Sequence, residues 1–186
     1  MKSIIFSGLA LACALVATGQ QTLKTMTVCE LLQDPTKYNG KTIALRGEYS
    51  VGGHGLYLRG PDCDGLLITK GYRWPSSIWI SLTREEYQQR SMSFEHVLDA
   101  QIEVGAVRER ERQRRGKGAT SEKVTATFVG LFETRADFDS MVFRRPDGSL
   151  VGIGFGQVPG APGQLFIDSV KDIVVEFGQE AAPKKP

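Results

Sequence analysis

Residues 38–51 of the chain read YNGKTIALRGEYSV, and their pattern decides the fold class. Tyr38-Asn39-Gly40 is a turn signal, and apolar side chains then recur at every second position from Ile43 onward. This period of two predicts a half-buried β-strand, because successive side chains of a strand point to opposite faces. We expect one face to carry Ile43, Leu45, Gly47, Tyr49 and Val51, and the other to carry Thr42, Ala44, Arg46, Glu48 and Ser50.

Short β-strands separated by turns continue through most of the chain. Gly52–Gly55 and Arg145–Gly148 are turn signals of the kind that joins two strands of a hairpin. Near Ser169 the alternation of the last strand slips, which predicts a β-bulge. The strand candidates are Leu56–Arg59, Leu66–Thr69, Ile78–Leu82, Val124–Thr134, Met141–Phe143, Leu150–Phe155 and Leu165–Phe177.

Two regions have helical signals. Thr27 and Glu30 have the spacing of a capping box, which predicts a short helix through Leu31-Leu32 that ends before Pro35. A second helix is expected from Thr83, with acidic residues in its first turn, and a further helical stretch over Ser93–Leu98. Residues 100–107 fit a helix or a strand, and the highly charged segment Arg108–Gly118, which has no apolar anchor, is expected to be an exposed loop.

The first strand and the order of elements resemble a known architecture. YNGKTIALRG, residues 38–47, is similar to the "Y-x-G-K-x-V-x-V-x-G" entry of OB-fold-like modules. The chain also resembles a group of small exported bacterial proteins of uncharacterised function, through Val28–Leu32, Gly152–Gly156 and Leu165–Ile173; those proteins have a histidine where this chain has Gln157. The resemblance implies a mainly β (α+β) fold, a small OB-like five-stranded barrel with a helix between strands 3 and 4 and a short N-terminal helix. A fold hosts many functions, so it implies little about activity.

The N-terminus predicts export. Lys2 precedes the apolar run Ile4–Ala17, and small residues follow it, which is typical of a signal peptide over residues 1–19. The run is about 14 residues long, whereas a membrane-spanning helix needs roughly 20. We therefore expect a periplasmic or extracellular protein, with one barrel domain over residues 20–178 and a disordered tail over 179–186. Cys13 leaves lipid attachment open as an alternative.

Two cysteines remain after the predicted leader. Cys29 and Cys63 most simply form a disulfide in an oxidising compartment. Two buried free thiols, or a redox pair, are the alternatives.

Charge and histidine content argue against several classes of function. The net charge is +2, and +1 without Lys2, so no strong field attracts nucleic acid, which we do not expect as a partner. His54 and His96 belong to no ligand cluster, so we expect neither a metal site nor a cofactor. No second apolar stretch reaches spanning length, so the mature chain is expected to have no membrane span.

Gly152–Gly156 fits a strand with one bare face better than it fits a phosphate loop. Another backbone or an aromatic ring can approach such a face.

Aromatic residues supply the candidate binding site. Trp79 lies between Ile78 and Ile80, so on a strand it points away from them and could stack on a sugar or a peptide. Alternatively, the helix after residue 83 covers it. The candidate ligand-binding residues are Tyr57, Arg59, Tyr72, Trp74 and Trp79.

The sequence favours binding over catalysis, and no catalytic residue is predicted. The leading hypothesis is an exported binding or accessory module of the bacterial envelope, with an envelope protein or a saccharide as partner. A structural or assembly protein acting through protein contacts would instead show an exposed apolar patch. A hydrolase would bring Asp62, Asp64 or His54 together in a deep pocket.

Overall fold

The structure, a computed structural model, describes residues 23–52, 55–63, 65–81, 95–115, 122–156 and 160–178. The predicted signal peptide with Cys13, the helix start at Thr83, Gln157 and the tail 179–186 lie outside the described residues. His54 and Asp64 also lie outside them, and of His96 only the backbone is described.

Strands predominate in the described chain. The elements are, in order, β1 (Thr25–Thr27), α1 (Val28–Gln33), β2 (Lys41–Gly52), β3 (Gly55–Arg59), β4 (Ile68–Thr69), β5 (Tyr72–Arg73), β6 (Ser77–Ser81), α2 (Glu95–Arg115), β7 (Glu122–Thr134), β8 (Val142–Arg144), β9 (Leu150–Gly152) and β10 (Gly163–Phe177). Short 3-10 helices occupy Pro35–Tyr38, Pro61–Cys63 and Asp139–Met141.

Five strands close into a barrel in the order β2-β3-β6-β10-β7, and β7 pairs back with β2. All neighbours are antiparallel except β6 and β10, which run parallel, and β1 adds a parallel strand on the outer edge of β2. The helix α2 lies between the third and fourth barrel strands along the chain, and α1 precedes the first. The OB-like architecture expected from the sequence is confirmed.

One continuous core fills the barrel and extends under both helices. Phe128 and Phe132 of β7 are fully buried with Leu45, Leu58 and Ile78, and the apolar face of α1 belongs to the same cluster. The predicted capping box begins α1: the Thr27 backbone N–H donates to Glu30 Oε2 at 2.7 Å, and the Glu30 N–H donates to Thr27 Oγ1 at 3.1 Å. Reciprocal bonds of this kind satisfy two donors that the first helical turn leaves free.

The alternation of burial predicted for β2 holds only in part. Ile43 and Leu45 are buried as expected, but Ala44, predicted on the outer face, is also buried, between paired Thr25 of β1 and Val129 of β7. Val51, predicted on the inner face, is 64% exposed because it lies one residue from the end of the β2–β3 hairpin.

The last strand contains the predicted bulge and a second one. The pairing register of β10 with β7 shifts between Ile167 and Ser169, where the sequence alternation slips. It shifts again between Lys171 and Val174, where Asp172 adopts a φ of 52°. The Arg46 Nη1 donates to the Asp172 carbonyl oxygen at 3.1 Å, which braces this second bulge against β2.

The expectation of a loop from Arg108 is wrong for its described part, because α2 continues to Arg115. Ala100 and Val104 anchor the helix in the core, which settles the ambiguous segment 100–107 as helix. Four and eight residues further on, Arg108 and Arg112 donate to the Glu122 carboxylate. Ion pairs with β7 therefore hold the end of the helix that lacks apolar anchors.

A smaller cluster, separate from the main core, is built from the segment before β6 and the segment between β7 and β10. Trp74, Met141 and Val142 form its buried centre, under the β8–β9 hairpin. The predicted turn is confirmed, because the Gly148 N–H donates to the Arg145 carbonyl oxygen at 2.9 Å. The strands are shorter than predicted: the first is Ile68–Thr69, and β9 ends at Gly152, after which Phe155 makes a single bridge with Ala161.

Candidate functional site

A cleft of about 680 Å³ opens where β6, β7 and β10 approach the segment after β9. We call it the Trp79 cleft. Its floor is formed by Trp79, Gln164 and Glu133. Gln164 of β10 is the pairing partner of both Trp79 on β6 and Glu133 on β7, so the three residues are direct neighbours across the outer face of the barrel. The lining residues are Trp79, Ser81, Glu133, Thr134, Arg135, Gly154, Phe155, Gly156 and Gln164.

Trp79 has the outward orientation that the sequence predicts. Its neighbours Ile78 and Ile80 are buried in the barrel, whereas Trp79 is half-buried on the opposite face. Tyr57 is its pairing partner on β3, and the two rings pack edge to face, with centroids 5.0 Å apart. Burial raises the pKa of the Tyr57 hydroxyl above its ordinary value. The expected covering helix after residue 83 begins outside the described residues and stays a prediction.

Glycine allows the chain to approach the indole. A Cβ built at Gly156, whose φ is +77°, would overlap the Trp79 ring, and so would one at Gly55. Gly152 packs against the Tyr72 ring, and Gly154 against the backbone of Ala161. The prediction that this glycine segment admits a ring and another backbone is confirmed, although only Gly152 belongs to a strand.

Polar groups surround the aromatic floor of the Trp79 cleft. The Gln164 Nε2 donates to Glu133 Oε2 at 3.2 Å. The Arg135 guanidinium lies 5.5 Å from the centroid of the Phe155 ring, at a distance typical of a cation–π contact. The sequence did not point to Glu133, Arg135, Phe155 or Gln164, because their proximity depends on the pairing register of strands far apart in the chain.

Three of the predicted ligand residues lie elsewhere: Tyr72 and Trp74 in the smaller cluster, and Arg59 at a second cleft. Trp74 is only 2% exposed, and its Nε1 donates to Thr69 Oγ1 at 3.0 Å. Tyr72 and Phe138 pack edge to face on its ring, at 5.1 and 5.5 Å between centroids. Trp74 therefore presents no surface to a ligand in this structure, and Tyr72 packs with it rather than with Trp79.

Arg59 lines a second, smaller cleft of about 250 Å³, which we call the Arg59 cleft. It lies on the outer face of β2, where the edge partner of that strand changes from β1 to β3. Its lining residues are Thr27, Val28, Cys29, Arg46, Gly47, Glu48, Arg59, Gly60, Pro61, Asp62, Lys123 and Thr125.

Cys29 and Cys63 lie at disulfide distance, with Cα atoms 5.3 Å apart, and form the predicted disulfide. Cys63 is buried, whereas Cys29 is half-buried in the wall of the Arg59 cleft. The bridge joins α1 to the 3-10 turn after β3, so it fixes one side of this cleft.

The remaining expectations concern a hydrolase pocket, a metal site and a membrane span. Asp62 lies at the Arg59 cleft, but Asp64 and His54 lie outside the described residues, so their convergence stays a prediction. Among the residues that the structure describes, no three His, Cys, Asp or Glu side chains are grouped as metal ligands. Within the same residues, no helix combines the length and hydropathy that a membrane span requires.

Comparison of the chain with protein-family models, with curated proteins and with solved structures finds no match.

Proposed function

We propose that the protein is an exported binding module of the bacterial envelope that holds a saccharide in the Trp79 cleft. The observation that carries the proposal is the row of Trp79, Gln164 and Glu133 across the floor of an open cleft on the barrel surface.

The chemistry of the cleft suits a sugar ring. A pyranose presents an apolar C–H face, which stacks on an aromatic ring, and a rim of hydroxyls, which need donors and acceptors in one plane. Trp79 and Phe155 supply aromatic surface, while Gln164, Glu133 and Arg135 supply the polar partners. Binding sites with few polar groups among aromatic walls fix the orientation of a ligand in this way.

The charge of the cleft favours a neutral ligand. Arg135 and Glu133 are its charged lining residues, and their formal charges cancel. Binding of a nucleic acid depends on neutralising several phosphates with Lys or Arg, which this cleft does not offer.

The position of the cleft on the barrel also supports binding. In OB folds, the surface of the second and third strands, with the loops between strands 1 and 2 and between strands 4 and 5, binds oligosaccharides and oligonucleotides. Tyr57 and Trp79 lie on the second and third barrel strands, and Arg135 and Phe155 lie between the fourth and fifth.

Export is supported by the N-terminal sequence pattern and by the disulfide. Disulfides persist in oxidising compartments such as the periplasm. The resemblance to small exported bacterial proteins points the same way.

The binding proposal is tested with the protein without residues 1–19 and a panel of defined tetrasaccharides, cellotetraose, maltotetraose and chitotetraose. We expect saturable quenching of tryptophan fluorescence by at least one of them, and saturation-transfer NMR signals from its ring protons. Gln164→Ala and Trp79→Ala should each weaken binding at least about tenfold, or about 1.4 kcal/mol.

Phe143→Ala is the matched control, because Phe143 is an exposed aromatic residue that does not line the cleft. The proposal is wrong if no member of the panel binds, or if the control weakens binding as much as Gln164→Ala does. Circular dichroism of each variant shows whether it is folded.

A function in envelope assembly is the second candidate, and one observation favours it. Phe143 and Ile153 are 51% and 55% exposed on the outer side of the β8–β9 hairpin, and Val151 is the pairing partner of Phe143. A photo-crosslinker at position 143 should then capture one defined envelope protein in cells, and Ile153→Ser should abolish the capture. Trp79→Ala should leave that capture intact, which distinguishes this function from binding in the Trp79 cleft.

A further inference from the structure

We propose that the Arg59 cleft is a second binding site, which takes the oxyanion group, phosphate or carboxylate, of a small molecule. The proposal is independent of the function assigned to the Trp79 cleft, since the two clefts share no lining residue. Three cationic side chains line this cleft, and their contacts leave positive charge available to a ligand.

Arg46 contributes a fixed guanidinium. Its Nη1 donates to Thr127 Oγ1 at 3.2 Å and to the Asp172 carbonyl oxygen at 3.1 Å. Both acceptors are neutral, so the bonds hold the side chain in place without cancelling its charge. A positioned charge of this kind needs little further ordering when an anion binds.

Arg59 contributes a guanidinium without a partner. The backbone of Arg59 pairs with β2 and β6, but among the described residues its guanidinium forms neither a hydrogen bond nor an ion pair, and the residue is exposed at the cleft. The planar fork of a guanidinium matches the two oxygens of a carboxylate or phosphate. An oxyanion entering the cleft therefore finds a free bidentate partner.

Lys123 contributes a loosely held ammonium. Its Nζ lies 3.8 Å from Glu48 Oε2, near the limit for an ion pair, and its side chain is 48% exposed. Exposed pairs of this geometry contribute little free energy, so Lys123 can leave Glu48 and pair with a ligand oxyanion at little cost in free energy.

The carboxylates of the cleft do not balance these cations. Glu48 is the pairing partner of Arg59 and lies two residues from Arg46 on the same face of β2, but its ion pair is with Lys123. Asp62 is the second lining carboxylate, and among the described residues it too forms no ion pair. Three positive and two negative side chains leave the cleft with a net positive charge.

The size of the cleft limits the ligand. A volume of about 250 Å³ lies below the range typical of drug-sized ligands, so a small molecule or a single terminal group fits. A polyanion such as nucleic acid needs a long basic surface rather than three cations around one cleft.

The test titrates the intact mature protein with inorganic phosphate and, separately, with acetate, at low ionic strength, and follows backbone amide shifts by NMR. We expect saturable shifts at residues 27–29, 46–48 and 59–62, with half-saturation below about 10 mM, equivalent to a binding free energy near 3 kcal/mol. Saturation by phosphate alone identifies a phosphate-bearing ligand, by acetate alone a carboxylate, and by both a general oxyanion site. Each of these outcomes supports the proposal.

Variants then assign the binding to the cleft. Arg59→Gln and Lys123→Gln remove exposed charges, and together they should raise the half-saturation concentration at least about tenfold. The matched control is Arg110→Gln together with Lys41→Gln, because these changes remove one arginine and one lysine charge from exposed positions outside the cleft. The proposal is overturned if neither anion saturates, if the double variant binds as well as the wild type, or if the control weakens binding equally.

Discussion

The Arg108 Nε lies 2.5 Å from Glu122 Oε1, and this contact joins the fourth turn of the long helix to the first residue of β7. Arg112, one turn further along α2, donates from Nη2 to the other oxygen of Glu122 at 2.8 Å. The Glu122 side chain is only 12% exposed. One carboxylate thus holds two arginines and orders the highly charged end of the helix.

The stability lost when Glu122 is replaced should depend on pH. The hydrogen bond from Arg108, with that from Arg112, holds the pKa of Glu122 below its ordinary value, against the opposing effect of desolvation. The ion pairs therefore stabilise the fold above the unfolded pKa of about 4.3, and the contribution is lost as the pH falls through the lowered folded value. Because Arg108 and Arg112 are partly exposed, we expect Glu122→Gln to cost only about 1 kcal/mol at pH 7.

Urea unfolding of the variant and the wild type at pH 7 and at about pH 3 measures this difference, which should shrink at the lower pH. Glu109→Gln is the control, since Glu109 Oε2 lies 3.8 Å from Arg112 and both side chains are more than half exposed. Equal losses at both pH values, or in both variants, would contradict the assignment.

Gly156→Ala should destabilise the fold by displacing the indole of Trp79. The backbone φ of +77° strains any L side chain, and the added Cβ would overlap the ring. Gly148→Ala is the matched control, because Gly148 has a φ of +84° and open space around its Cα. We expect Gly156→Ala to cost at least about 1 kcal/mol more than Gly148→Ala, the usual cost of overpacking.

Thermal unfolding followed by tryptophan fluorescence measures both variants. The emission maximum of the native state should shift only in Gly156→Ala. Equal costs in the two variants would show that backbone strain alone matters at Gly156.

Loss of the Cys29–Cys63 bridge should lower the free energy of unfolding by about 3 kcal/mol, from the entropy of the unfolded loop that the bridge closes. Urea unfolding with and without dithiothreitol measures the loss. The double variant Cys29→Ala, Cys63→Ala is the control, since reductant should leave its unfolding unchanged. A wild-type midpoint that does not respond to reductant would contradict the stabilising role.

The parts of the fold predictable from sequence are those encoded locally. The alternation in residues 43–49 predicts β2, the slip near Ser169 predicts the first bulge of β10, and Thr27 with Glu30 predicts the start of α1. Each depends on residues within a few positions of one another. The continuation of α2 from Arg108 to Arg115 is not encoded locally, because Glu122, which accepts from Arg108 and Arg112, belongs to β7.

The candidate site is less predictable for the same reason. The outward direction of Trp79 follows from its neighbours along one strand. Its position beside Gln164 and Glu133 depends on the parallel pairing of β6 with β10, which no local pattern encodes. Trp74 shows the converse case. The sequence analysis proposes it as a ligand-binding residue, but the packing of Tyr72 and Phe138 on its ring buries it.

Substitutions of Trp74 and Thr69, which share a buried hydrogen bond, should have non-additive effects on the free energy of unfolding. Thr69→Val leaves the indole N–H buried without its acceptor, which costs about 1–3 kcal/mol for an unsatisfied donor. In a Trp74→Phe background the donor is absent, so the same Thr69→Val change should cost much less. Urea unfolding of the two single variants and the double variant completes the cycle, and we expect a coupling free energy of about 1 kcal/mol. Purely additive costs would mean that the Trp74 ring stabilises the β8–β9 hairpin by packing alone, without a contribution from its N–H.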